Sequence, residues 1–142
     1  MDTQRFVDAQ DPLWDDVRTE LRAGDKRTHW MWFVFPQLAG LGTSDMNRRY
    51  AIPDLDAARE YLAHPVLGPR LLEVTELLLA HPDRTALEVL HSPDDRKLRS
   101  SMTLFGRADP DQPLFGQVLD QWYDGVEDER TVALLQQGTA GL

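Results

Sequence analysis

The chain has 142 residues, 42% of them hydrophobic and 27% charged, with no cysteine and a formal charge of −9. One domain is the expected size, able to bury roughly 68–70% of its unfolded surface. Disulfides and Cys-based zinc, iron–sulfur or thiol chemistry are excluded.

Proline and glycine punctuate the chain at the spacing of short helices. Asp11 as N-cap and Pro12 as first helical residue are expected to open a helix, because proline lacks the N–H that would be an orphan there. Leu13, Val17 and Leu21 share one face of it, and Gly24 closes it. Trp30–Phe35 is apolar throughout. Its aromatic and β-branched residues favour a strand by propensity, but no other segment offers the alternation a partner strand needs, so a buried helix ending at Pro36 is expected. A segment from Ser44 to Tyr50 follows, then a helix capped by Asp54 and ended by His64-Pro65. The strongest pattern begins at Gly68-Pro69, with Leu67, Leu71, Val74 and Leu78 in a stripe. Thr85 with Glu88 fits a capping box. Ser92-Pro93 starts the next helix, with Asp94 and Asp95 in the turn where the helix dipole favours negative charge. Asp111–Pro113 starts another, with Phe115, Val118 and Leu119 inward, and a last helix spans about 128–136, with a frayed tail expected over 138–142. The expected fold is all-α, a single domain of about seven to nine short helices.

The polar start, Met1 to Gln10, carries no secretory pattern. The longest apolar run is far shorter than the roughly 20 residues of a bilayer span. A cytoplasmic protein without a membrane role is expected. Residues 1–71 hold 9 basic and 11 acidic side chains, a net of −2, whereas residues 72–142 hold 6 and 13, a net of −7. Nucleic acid is not expected as a partner, because phosphate binding needs a basic patch and no basic run here exceeds three residues. Lys26-Arg27 and Arg48-Arg49 read as solvated surface. Of the 15 basic residues 13 are arginine, the usage expected of a GC-rich bacterial genome.

Several chemical signatures fail on spacing. Gly40-Leu-Gly42 lacks the preceding strand and third glycine of a dinucleotide fingerprint. His29, His64, His81 and His91 lack the i,i+4 geometry of a helical metal site, and no metal is expected. Pro93-Asp94-Asp95-Arg96-Lys97 is contiguous, whereas a restriction-nuclease site needs its carboxylates separated on strands.

Two clusters remain. In His29-Trp30-Met31-Trp32-Phe33-Val34-Phe35-Pro36-Gln37, two indoles with an imidazole at one end and an amide at the other could line a stacking pocket. The alternative is an aromatic core helix whose His29 and Gln37 satisfy backbone groups at its ends. In the helix opening at Ser92, Leu98, Met102 and Phe105 form the buried stripe, and Asp94, Lys97 and Ser101 line up along its flank. They form either a cleft wall or a helix first turn with an Asp94–Lys97 ion pair, worth about 0.3–0.5 kcal/mol. Lys97 is one of only two lysines. Arginine would serve an exposed pair equally well, so lysine points to a site that needs a compact ammonium.

Those two clusters, the Gly40-Leu-Gly42 turn and Tyr61-Leu-Ala-His-Pro-Val-Leu-Gly-Pro-Arg-Leu71 together resemble the bacterial domain of unknown function 1810, often mislabelled calpastatin. The likeness runs from about residue 5 to 135, with the motifs in order. It implies a mainly helical, single-domain cytoplasmic protein with no assigned activity, cofactor or catalytic residues. The calpastatin label carries no weight, because true calpain inhibitors are disordered. The expected function is the binding of a small anionic, nucleotide- or sugar-like molecule, or an enzyme acting on one, with the catalytic residues and cofactor unknown. His29, Trp30, Trp32, Gln37, Asp94, Lys97, Ser100 and Ser101 are the expected binding residues, with Asp94 orienting Lys97. The alternative is a protein-interaction module presenting Asp124, Asp128 and Glu129 to a basic protein partner.

Overall fold

Residues 1–140 are described by the computed structural model. They form α1 (Gln4–Gln10), a 3-10 turn (Asp11–Leu13), α2 (Trp14–Ala23), α3 (Met31–Val34), α4 (Asp45–Tyr50), α5 (Leu55–Ala63), α6 (Leu67–Leu79), α7 (Ala86–Leu90), α8 (Asp94–Ala108), α9 (Leu114–Tyr123) and α10 (Glu129–Ala140). The fold is all-α. Among the described residues the β pairing amounts to one isolated parallel bridge between Leu38 and Ile52.

Local side-chain chemistry accounts for several helix starts. Ser44 Oγ accepts from Asn47 N at 3.2 Å, and Asp54 Oδ1 from Ala57 N at 2.8 Å. Thr85 and Glu88 form the expected reciprocal capping box, at 3.1 and 2.9 Å. Gly24 ends α2 in the left-handed conformation at φ +69°. Asp128 Oδ2 accepts from both the N–H and the hydroxyl of Thr131, at 2.9 and 2.7 Å, at the start of α10.

The amino-terminal expectation is corrected. The helix expected to open the chain at Asp11-Pro12 is preceded by α1, and Asp11–Leu13 is a 3-10 turn joining α1 to α2. Asp11 makes no capping bond, because its carboxylate pairs with Arg70 at 2.8 Å. The Trp30–Phe35 segment is helical only as the single turn α3, and within it Trp32 alone is partly exposed. The frayed tail expected over 138–142 falls partly outside the described residues, since α10 extends to Ala140.

Helices α5, α8, α9 and α6 pack in a closed ring, each against the next, with α2 against α6 and both α7 and α10 against α8. An aromatic chain threads the core: Phe6 meets Tyr61 edge-on at 5.2 Å, Tyr61 meets Phe105 at 5.3 Å, and Phe105 meets Phe115 at 6.0 Å. The α5–α6 junction is close enough that a Cβ at Gly68 would lie 2.1 Å from the Leu62 carbonyl oxygen. Buried Gln10 is fully partnered: its amide donates to Phe33 O at 2.7 Å and Tyr61 OH at 3.0 Å, and accepts from Arg70 at 3.3 Å. Charged pairs tie the periphery together, Arg18 to Glu73 at 2.6 Å and Arg107 to Glu127 at 2.7 Å.

Candidate functional site

Beyond α2 the chain must turn sharply to reach α3, and one buried carboxylate organises that turn. Glu20, 8% exposed, accepts at Oε1 from the backbone N–H groups of Arg27 (2.7 Å) and Thr28 (2.9 Å) and from Trp30 Nε1 (3.1 Å). Its Oε2 accepts from the Thr28 hydroxyl at 2.6 Å. Burial acts to raise the Glu20 pKa, but these hydrogen bonds outweigh it and hold the carboxyl below its ordinary 4.5.

The same turn is fastened to the opposite wall. Lys26 N donates to Val89 O at 2.7 Å. The α2 carbonyls are taken up by side chains from beyond α6: His81 Nε2 donates to Leu21 O at 2.7 Å, and Arg84 to Ala23 O and Gly24 O at 3.0 and 2.9 Å. His91 Nε2 donates to Asp25 Oδ1 at 2.9 Å. That bond, with Arg27 adding to it against a smaller effect of burial, lowers the Asp25 pKa.

Between these walls lies a cleft of about 290 Å³. One side comes from Lys26, Arg27, His29 and Trp32, the other from His91, Asp94 and Lys97. His91 adopts φ +68°, ψ 168°, a region essentially reserved for glycine and costing about 1–3 kcal/mol elsewhere. A cis Ser92–Pro93 peptide follows and leads into α8.

Both lysines of the chain stand in this cleft, each over an indole. Lys26, 7% exposed, lies 4.8 Å from the Trp30 ring centroid, donates to Thr28 O at 2.6 Å and pairs with Asp94 Oδ2 at 2.9 Å. Lys97 lies 5.2 Å over the Trp32 ring, and its ammonium has no ion pair or hydrogen bond among the described residues. The Trp32 indole N–H is likewise without a hydrogen bond among the described residues. The other indoles donate to Glu73 (Trp14, 3.3 Å), Glu20 (Trp30, 3.1 Å) and the Arg84 carbonyl (Trp122, 2.9 Å).

His29, Trp32, Asp94 and Lys97 from the sequence reading therefore meet around one cleft. Asp94 is turned to Lys26 and not to Lys97. Trp30 is fully buried beneath Lys26. Gln37 lies in a neighbouring depression that shares Trp32, and its amide donates to buried Ser100 Oγ at 2.7 Å. Ser101 is fully buried, and its hydroxyl has no partner among the described residues. Lys26 and Arg27, read from the sequence as solvated surface, complete the walls together with His91; that reading is corrected for Lys26, which is buried because its ammonium is taken up by Asp94 and the Thr28 carbonyl. The signal for Lys26 was available, since it is the other lysine of an arginine-dominated chain. Among the described residues no group of three or more His, Asp or Glu could hold a metal ion, and no helix is long and apolar enough to cross a membrane.

These features define a helical protein whose lysine- and tryptophan-walled cleft lies between the α2–α3 turn and the start of α8. The chain belongs to the family described as protein of unknown function DUF1810, which it matches over residues 1–135. It is similar to the crystal structure of the conserved hypothetical protein Rv1873 from Mycobacterium tuberculosis, with 53% sequence identity and a TM-score of 0.92, over 94% of this chain and 95% of that one. No functionally curated protein matches it.

Proposed function

We propose that the chain binds a small anionic molecule, nucleotide- or sugar-like, in the cleft between residues 26–32 and 90–97. The carrying observation is the Lys97 ammonium held over the Trp32 ring at 5.2 Å without a counter-charge. A planar or sugar face against the indole and an anionic group on the ammonium would use both. The surrounding charge agrees. In a chain of net −9 this lining carries Lys26, Arg27 and Lys97; Lys26 is paired with Asp94 and Arg27 with Asp25, which leaves the Lys97 ammonium as the charge available to an anion. The volume, about 290 Å³, lies at the lower end of ligand sites of about 300–1,000 Å³ and suits a mononucleotide or smaller.

The interaction-module reading has less support. Asp128 is spent on capping α10, and neighbouring Glu127 on Arg107. The exposed large apolar residues, Leu87 and Val126, are two single side chains on separate segments.

Thermal melting with AMP and glucose 6-phosphate, against adenosine and glucose, tests the proposal. A ligand at a hundredfold excess over Kd stabilises by about 2.7 kcal/mol, a shift of several degrees. The phosphorylated probes are expected to raise the melting temperature and the neutral ones to leave it unchanged, with Lys97→Gln losing the response at an unaltered basal melt. No shift with either phosphorylated probe, or a Lys97→Gln response equal to wild type, would overturn it.

A further inference from the structure

We infer that the ligand carries two separated anionic groups, and that the second sits against Arg48 in the smaller cleft that shares Trp32 with the first. This rests on the anion-binding reading above. The smaller cleft has a volume of about 190 Å³, enough for a phosphate or carboxylate, and runs from Trp32 and Gln37 along the 38–42 loop to Asn47 and Arg48.

Arg48 is the sole ionised side chain of this lining, and it makes no ion pair or side-chain hydrogen bond among the described residues. Arg48 is exposed, and an exposed guanidinium on the edge of a concave surface without a carboxylate offers a fork to a phosphate or carboxylate. The Asn47 side-chain amide makes no hydrogen bond among the described residues, and it is held against the loop because residue 42 is glycine: a Cβ there would lie 2.2 Å from Asn47 Nδ2. Gln37 spends its amide N–H on Ser100, at 2.7 Å, and keeps its carbonyl oxygen for a hydroxyl or amine. Trp32 joins the two clefts, with its N–H free and Lys97 over its ring.

The two clefts together set Lys97 on one side of Trp32's surroundings and Arg48 on the other, each unpaired, in a chain otherwise rich in acid. A molecule with one anionic group would satisfy one of them. A nucleoside or sugar phosphorylated at two positions would satisfy both. Linking the two contacts in one molecule makes the second effectively intramolecular, so the gain over either alone is large.

Isothermal titration calorimetry of AMP and adenosine 3′,5′-bisphosphate against wild type, Arg48→Ala and Arg49→Ala tests this. Arg49 is the control for bulk charge, since it lies over the Tyr50 ring at 5.5 Å, outside the lining. The bisphosphate is expected to bind wild type roughly tenfold or more tighter than AMP. Arg48→Ala should bring it down to the affinity of AMP while leaving AMP unchanged, and Arg49→Ala should alter neither. If AMP binds but the bisphosphate gains nothing, or if Arg49→Ala costs as much as Arg48→Ala, the second subsite is refuted and the single-anion reading stands. If neither probe binds, the second subsite is refuted, and if glucose 6-phosphate also leaves the melting temperature unchanged the anion-binding reading falls with it.

Discussion

Removing the Lys26 ammonium tests whether the cleft floor is a desolvated ion pair. In Lys26→Met the stem is kept and the charge is lost, leaving Asp94 Oδ2 and Thr28 O without the donor that stood 2.9 and 2.6 Å away. The side chains are 6% and 17% exposed, so water cannot fully replace it, and breaking such a pair typically costs about 3–5 kcal/mol. Asp94 keeps one compensation. It lies in the first turn of the 15-residue α8, where the helix dipole offsets about 0.3–1 kcal/mol. The expected loss for Lys26→Met is therefore about 2–4 kcal/mol. Asp94→Asn should cost about 1 kcal/mol more, because it forfeits the dipole as well. The double variant should cost less than the sum of the two, with a coupling of about 2 kcal/mol. Urea unfolding followed by circular dichroism is the assay, urea being uncharged and unable to screen the pair. Single losses below about 1 kcal/mol with no coupling would refute the buried pair.

Three further outcomes follow from the geometry. Glu20, Glu73, Glu127 and Asp25 all have folded pKa values below their ordinary ones, so their stabilisation is complete above about 4.5 and is lost as pH falls through the folded values. The urea midpoint should thus fall as the pH drops below about 4.5, with Glu20→Gln less stable at pH 7 and shallower in its acid fall; an unchanged slope would count against the Glu20 network. His91→Gly should relieve the φ +68° conformation and raise the urea-derived stability by about 1 kcal/mol, net of the lost bond to Asp25; a loss of stability would show that conformation to be unstrained. Trp30→Ala, at a fully buried position, should cost about 3–5 kcal/mol, whereas Trp32→Ala should cost under about 2 kcal/mol and abolish the thermal response to AMP. Equal losses at the two tryptophans would contradict the division between core and cleft wall.

What could be read from the sequence was whatever a few neighbouring residues decide. The starts at Ser44, Asp54 and Thr85 were legible because cap and capped N–H lie within one turn. Helix α1 was not, since Thr3 makes no capping bond and inward-facing Gln10 reads as polar until Phe33 O and Tyr61 OH are brought to it. The site divides in the same way. Unusual local composition marked Trp32 and Lys97, but a helical wheel knows only its own helix. It paired Asp94 with Lys97, whereas burial beside Trp30 made Lys26 the stronger claimant on that carboxylate. Glu20 was not marked at all, because the four donors that surround it come from the turn it organises.

That turn has a consequence for how a ligand would be received. Its two walls are joined by Lys26 N to Val89 O, by the Lys26–Asp94 pair, by His91 to Asp25, and by His81 and Arg84 on the α2 carbonyls. Neither wall can swing away alone without stripping buried polar groups of their partners. The cleft therefore behaves as a mould and not as a jaw. Little conformational entropy is surrendered on binding, so discrimination among anions falls to shape and charge spacing, with no closing movement to reward a good fit.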